Sequence, residues 1–407
     1  MISRCIRAAL LIAFWPAAAL AFDTVDTLPW PSAGRFYPTY EGDPVRPWSV
    51  FAYGGAMYDS NVRRVSAGET SDIISRLGVG GRYTARVVGR QSIAVDGFGE
   101  YRSYDTLDEF NHFAYGLRGQ WLWELGNDLA GVATLSQDRR LADVAETGSE
   151  KDLITATRAE VGGAYRFHPE WRLTGGVGTT RVTHDGRPAE PTSTTGLRGG
   201  IEYVSGLRNA VGLEWRYADG EAPVDEAVAP QGIAEYDESE IAATIAYALG
   251  EQLRLRGRIG RTERTYRDLS FADFSGTTGR GAVDWLPAAK LILTFEVYRV
   301  PDPVADTTAL YVDRRGAVVR VSWAATYKVV LTVSATNERR LFSEDPLAPL
   351  GTPPRDETAR TIGFGLGWEP ERRWQFSTSL DMGTRESNFL GRDYDYTAIV
   401  ANLRYQF

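Results

Sequence analysis

The sequence predicts an all-β fold, a transmembrane antiparallel up-and-down β-barrel of about 18 strands, and three observations carry the prediction. From Trp48 to the last residue the chain falls into segments whose side chains alternate between apolar and polar, the period-two signature of a strand with two different faces. The connections between these segments are short and long in turn, as in a barrel with tight turns at one end and larger loops at the other. Tryptophans recur where the segments meet the short connections, the level at which an aromatic belt marks a membrane interface.

Taken in order, residues 1–21 read as a secretory signal peptide. Arg4 and Arg7 precede an apolar run from Ala8 to Trp15, and Ala19-Leu20-Ala21 supplies a small-x-small cleavage site before Phe22. That run is too short to span a bilayer as a helix, and nothing later approaches the roughly 20 apolar residues such a helix needs. Cys5 is the only cysteine, so the mature chain is expected to hold no disulfide and no thiolate metal site. Loss of Arg4 and Arg7 moves the formal charge from −8 to about −10, an acidic balance that argues against general nucleic-acid binding. Positive charge is almost all arginine, with lysine only at Lys151, Lys290 and Lys328. Guanidinium groups hold carboxylates and phosphates bidentately.

Residues 22–47 carry Pro29, Pro31, Pro38, Pro44 and Pro47, which excludes a central strand or helix. They read as an extended N-terminal arm on the periplasmic side, either a tether or a plug or docking strap.

The barrel is expected over residues 48–407. Short connections fall near residues 86–90, 125–128, 167–171, 204–208, 250–252, 287–290, 325–328 and 370–373. Long ones, rich in Asp, Glu, Gly and Pro, include residues 60–71, 143–152, 219–236, 301–308 and 343–356. At roughly 20 residues per strand and connection, the length supplies about 18 strands, an even number that puts both ends on the periplasmic side. Trp123, Trp285, Trp323 and Trp368 then end descending strands and Trp171 and Trp374 begin ascending ones, forming a periplasmic aromatic girdle. Leu291, Leu293, Phe295 and Val297 share one face of their strand while Thr294 and Glu296 share the other. The apolar face is assigned to lipid and the polar face to the lumen. The last strand, YDYTAIVANLRYQF, sets Ile399, Ala401 and Leu403 against Asn402 and Arg404. With Tyr405 and Phe407 at its end it is similar to the closing strand of bacterial outer-membrane barrels, in which the final Phe belongs to the signal read by the barrel-assembly machinery.

Catalytic constellations are thin. His112, His168 and His184 are not spaced as a metal pair, and no metal site, cofactor or phosphate-binding glycine loop is expected. The more suggestive set is polar and inward. Arg254, Arg256 and Arg258 form a ladder continued by Arg264, with Glu214 and Arg216 on one nearby strand, Arg280 and Asp284 on another, and Glu296 beyond. Such a wall either guides an anionic or hydroxyl-rich solute or braces the lumen through arginine–carboxylate pairs. Arg261 falls on the outward register near the upper rim, a position suited to phosphates of outer-leaflet lipid or lipopolysaccharide.

Several stretches carry a family resemblance: MYDSNVRR from Met57, LWELGNDLAG from Leu122, YRFHPEWRL from Tyr165, LEWRYADGE from Leu213, RDLSFADFSGTTGRGAVDWLP from Arg267, and the closing segment from Arg385. The sequence resembles the EpsL-type outer-membrane barrels encoded with exopolysaccharide biosynthesis and exosortase (PEP-CTERM) systems. The resemblance implies a non-enzymatic part in moving an exopolysaccharide chain across the outer membrane, with a periplasmic polysaccharide export protein as a possible partner; it carries over no site residue. A general porin for small solutes and a surface-anchoring barrel are the alternatives. A loop folded into the lumen would favour the porin, and residues 219–236, long and acidic at Asp219, Glu221, Asp225, Glu226 and Glu235, are the expected candidate.

Overall fold

Glycines in the tight connections and alternating side chains between them give the chain its hairpins. Gly126 and Gly250 adopt φ of 66° and 62°, left-handed conformations that a residue without Cβ enters at no steric cost. The computed structural model describes residues 47–407 apart from 147–149, 187–190, 206–208, 225–226, 229–231, 305–308, 346 and 348–351. The signal peptide and nearly all of the arm expected from the sequence lie outside the described residues, as does the turn at residues 206–208.

The strands are β1 (Trp48–Asp59), β2 (Asp72–Arg86), β3 (Ser92–Tyr104), β4 (His112–Leu125), β5 (Leu129–Leu141), β6 (Leu153–His168), β7 (Trp171–His184), β8 (Thr192–Ser205) and β9 (Asn209–Pro223) in the first half. The second half holds β10 (Ile233–Leu249), β11 (Leu253–Tyr266), β12 (Phe274–Ala288), β13 (Leu291–Pro303), β14 (Tyr311–Trp323), β15 (Val329–Phe342), β16 (Asp356–Glu371), β17 (Trp374–Ser387) and β18 (Tyr394–Gln406). Each pairs antiparallel with its sequence neighbours, and β1 pairs with β18, so the 18-stranded sheet closes on itself without an edge.

The outer wall is apolar. Leu77, Val79, Leu213, Ile241, Ile259 and Val297 stand exposed on it, a continuous greasy band that fits lipid rather than water. Where an aromatic ring lies flat, the neighbouring strand supplies a glycine: the Trp123 indole covers Gly131 and Gly163, and a Cβ on Gly131 would come within 2.4 Å of that ring. The loops at the other end carry their own small cores, such as Val62, Ile74, Tyr104, Leu107, Phe110 and Val144.

The stretch at 219–236 differs from expectation. Both of its ends are strand, with β9 running to Pro223 and β10 starting at Ile233. The extension persists because Ala222, Ala234 and Tyr236 pack with Tyr266 and Leu310 in a buried cluster above the main wall.

Candidate functional site: the lumen and the segment that crosses it

The segment that enters the lumen is the β5–β6 connection. It leaves β5 as a hairpin, with the Ala142 amide donating to the Asp152 carbonyl at 2.8 Å, and turns tightly where Ala145 N–H meets the Asp143 carboxylate at 3.0 Å. Val144 anchors it in the apolar cluster formed by the β1–β4 loops, and the Lys151 ammonium donates to the Asn111 carbonyl at 2.7 Å. From there it reaches the far wall. Arg340 on β15, eight strands away round the ring, donates through Nη1 to the Glu146 carboxylate at 3.2 Å. Arg392, between β17 and β18, donates to the Ala145 carbonyl at 3.0 Å. A hydrogen-bonded chord therefore runs across the long-loop end of the barrel. Burial raises the Glu146 carboxyl above its ordinary range; Asp143 adds to the shift, and Arg340, Arg385 and Arg355 oppose it.

The far wall that receives the chord is a packed mesh of charges. Glu338 accepts from Arg340 at 2.6 Å and from Arg314 at 2.7 Å, and Arg314 also holds Asp302 at 2.7 Å. Glu357 sits between Arg385 and Arg355, with side-chain exposures of 0%, 1% and 5%. Buried charges persist only in such pairings.

The inward residues expected from the sequence sit on β9–β13, where the structure brings them together. Glu214 takes Arg216 at 2.5 Å and Arg258 at 3.4 Å, and Arg258 also binds Glu240. Arg264 is fully buried, held by Glu238 at 2.7 Å and by the Pro301 carbonyl at 3.1 Å, with its guanidinium 4.5 Å over the Tyr236 ring. Arg256 meets Asp284 at 2.9 Å, and Arg280 meets Glu296 at 3.1 Å. The ladder thus divides: Arg258 and Arg264 are locked in pairs, whereas Arg254 stands exposed at the tight-turn end and makes no ion pair among the described residues.

Other lumen arginines were not singled out as site residues from the sequence, although alternation set Arg404 on the polar face of the last strand. Arg118 on β4 and Arg320 on β14 are exposed and make no ion pair among the described residues. Arg404 on β18 lies with its guanidinium 3.8 Å over the Phe51 ring, and burial is its main environment rather than a carboxylate contact. Alternation alone placed them inward, but only the cross-strand neighbours reveal which arginines lack a carboxylate. The pairing of Glu146 with Arg340 was missed for a different reason: they are 194 positions apart.

On the outside, Trp171, Trp285, Trp323, Trp368 and Trp374 are exposed at the tight-turn ends of their strands, together with Trp48 and Trp121. Trp123 is less open because it lies against its two glycines. Tyr405 packs on Trp374 with ring centroids 4.6 Å apart and edge-on against Phe407 at 5.0 Å. His112 and His184 are buried, the former bonded to the Phe110 carbonyl at 2.7 Å and the latter to Asp152 at 2.6 Å. Among the described residues no group of His, Cys, Asp and Glu is arranged to hold a metal ion.

A closed antiparallel barrel with an apolar exterior, a charged interior and a segment folded into its mouth defines a porin-like β-barrel. Comparison with known proteins agrees at that level: residues 239–407 match the family model described as "Putative beta-barrel porin 2". Among solved structures, the chain is similar to the outer membrane protein OpdK of Pseudomonas aeruginosa, at TM-score 0.50 and 11% identity over 88% of this chain and 99% of that one. A second structure of that protein, solved with vanillate, gives the same values. OccAB3 of Acinetobacter baumannii aligns at TM-score 0.47 and 9% identity over 88% of this chain and 99% of that one. No curated protein matches the chain.

Proposed function

We propose that the protein is a passive outer-membrane porin for small solutes, with a preference for anions such as small carboxylates. The observation that carries this reading is the β5–β6 segment, tied to the opposite wall through Glu146 and Ala145. A seated chord leaves room for small molecules beside it and obstructs a long hydrated polymer. Arg118, Arg254 and Arg320, exposed and without an ion pair among the described residues, add positive potential to a lumen whose other arginines are mostly neutralised, and a low-dielectric wall focuses that field on passing anions. Vanillate, bound by the structurally similar OpdK, is itself an aromatic carboxylate. Export of an exopolysaccharide, implied by the resemblance to EpsL-type barrels, requires the segment to leave its seat.

The test is reconstitution of the refolded protein in planar bilayers, with single-channel conductance and reversal potential measured across a KCl gradient, alongside liposome swelling in vanillate and in neutral sugars. Discrete openings with anion preference are expected. A bilayer that stays silent while a gene deletion abolishes polysaccharide release into the medium would overturn the reading in favour of export.

A further inference from the structure

The lipid-facing wall carries a cationic patch that the lumen does not need. Arg299 on β13, Arg315 on β14 and Arg339 on β15 are direct cross-strand neighbours, all on the outward register, with side-chain exposures of 33%, 44% and 54%. Like charges set directly opposite one another on a sheet repel, so this row calls for compensation. Asp313 supplies part of it, accepting from Arg299 at 2.8 Å and from Arg315 at 2.7 Å. One carboxylate therefore serves two guanidinium groups. Arg339 holds Asp356 at 2.6 Å, and the row of three cations faces two anions.

The donor geometry is as informative as the charge. Each of the three binds its carboxylate through Nε and Nη2, and among the described residues no partner takes the Nη1 edge. Three guanidinium Nη1 edges are thus left open at one place.

Their height fixes what they meet. In register, Trp323 at the tight-turn end of β14 stands beside Leu291 and Leu331, and each arginine lies eight residues further along its strand. At about 3.3 Å per residue and a tilt of about 40°, that is roughly 20 Å, close to the apolar span of such barrels, about 25 Å. Between the two levels the outward side chains are apolar apart from Asn337, among them Phe295, Val297, Val319 and Val333. At the long-loop end of β3 and β4 the outward side chains are instead Tyr101 and Phe113, and the other outward arginines at this level, such as Arg261 and Arg360, have no arginine directly opposite them.

We propose that Arg299, Arg315 and Arg339 form a docking site for the phosphates of a phosphorylated glycolipid of the outer leaflet. Guanidinium groups bind phosphate through paired, charge-assisted hydrogen bonds, and a fixed trio binds it better than scattered ones. The inference rests on the outer-membrane reading given above.

The experiment uses the full chain in detergent and measures retention of bis-phosphorylated lipid A by native mass spectrometry. The comparison variant carries Arg299→Gln, Arg315→Gln and Arg339→Gln, and a second variant carries Lys at the same positions. Wild type is expected to retain bis-phosphorylated lipid A about tenfold better than the Gln variant, with the Lys variant between them and dephosphorylated lipid A equal for all three. Heat-modified gel mobility checks that each barrel is folded. Should the Gln variant misfold, loss of wild-type retention on raising salt from 0.05 to 0.5 M tests the same phosphate contact. Equal retention by wild type and a folded Gln variant, or no salt effect, would overturn the proposal. Competition by millimolar inorganic phosphate would assign the site to free phosphate and overturn the lipid assignment. A protein that inserts into vesicles but ignores lipid A phosphates loses this site alone, whereas one that fails to insert loses the outer-membrane reading.

Discussion

The long-loop and tight-turn ends of the lumen use arginine differently, with Arg172, buried beside Glu202, the exception at the tight-turn end. Toward the long loops, Arg264, Arg314, Arg340 and Arg385 are paired and largely or wholly buried; toward the tight turns, Arg254 and Arg320 stand exposed without carboxylate partners among the described residues, and Arg118 stands likewise midway. The side chain is the same, and its surroundings decide its role. Where the inserted segment crowds the lumen, a guanidinium is a brace whose charge is cancelled locally. Where water fills the bore, its field extends to whatever passes.

This contrast can be broken at its strongest point first. Excising residues 143–151 and rejoining the β5–β6 hairpin with a two-residue turn should raise single-channel conductance several-fold, because the chord then no longer crosses the mouth; unchanged conductance would mean that the limiting section lies lower. Next, Arg385→Ala leaves Glu357 with Arg355 alone in a buried site and should lower stability by about 3 kcal/mol, read from urea unfolding in lipid vesicles by tryptophan fluorescence.

Replacing Arg118, Arg254 and Arg320 by Gln should instead leave unfolding within about 0.5 kcal/mol of wild type while shifting the reversal potential toward cations. A destabilised triple variant with unaltered selectivity would erase the distinction between the two ends. The smallest effect concerns pH. The seated Glu146 has a raised pKa, so the seated state binds its proton more tightly than a released one would, and linkage makes the chord hold more firmly below that pKa and loosen as pH rises through it. Conductance should climb modestly on that rise, and Glu146→Gln, permanently neutral, should abolish the dependence.

The wall was legible in the sequence because its rules are local. Alternation sets Leu291 and Phe295 against Thr294 and Glu296, and turn residues such as Gly126 and Gly250 mark the tight ends. The crossing segment was not legible, since residues 143–152 have the composition of any polar loop. What seats them is a contact from Glu146 to Arg340 and another from Ala145 to Arg392, neither encoded by spacing. Residues 219–236 looked better suited, being long and acidic, but Tyr236 and Ala222 draw them into tall strands with a core of their own. Length signals an insertion into the lumen less reliably than a pair of anchors on the far side.

The seam between the first and last strands has a consequence for timing. Tyr58 lies opposite Ile399, and Phe407 N–H donates to the Val50 carbonyl at 2.9 Å. During synthesis β1 emerges well before β18, its partner on that side. Until then it exposes one unsatisfied row of amides and carbonyls, and so does whichever strand is newest. The ring therefore cannot form progressively from a stable fragment. Shortened chains ending before β18 should be proteolysed or captured by chaperones rather than accumulate as smaller barrels.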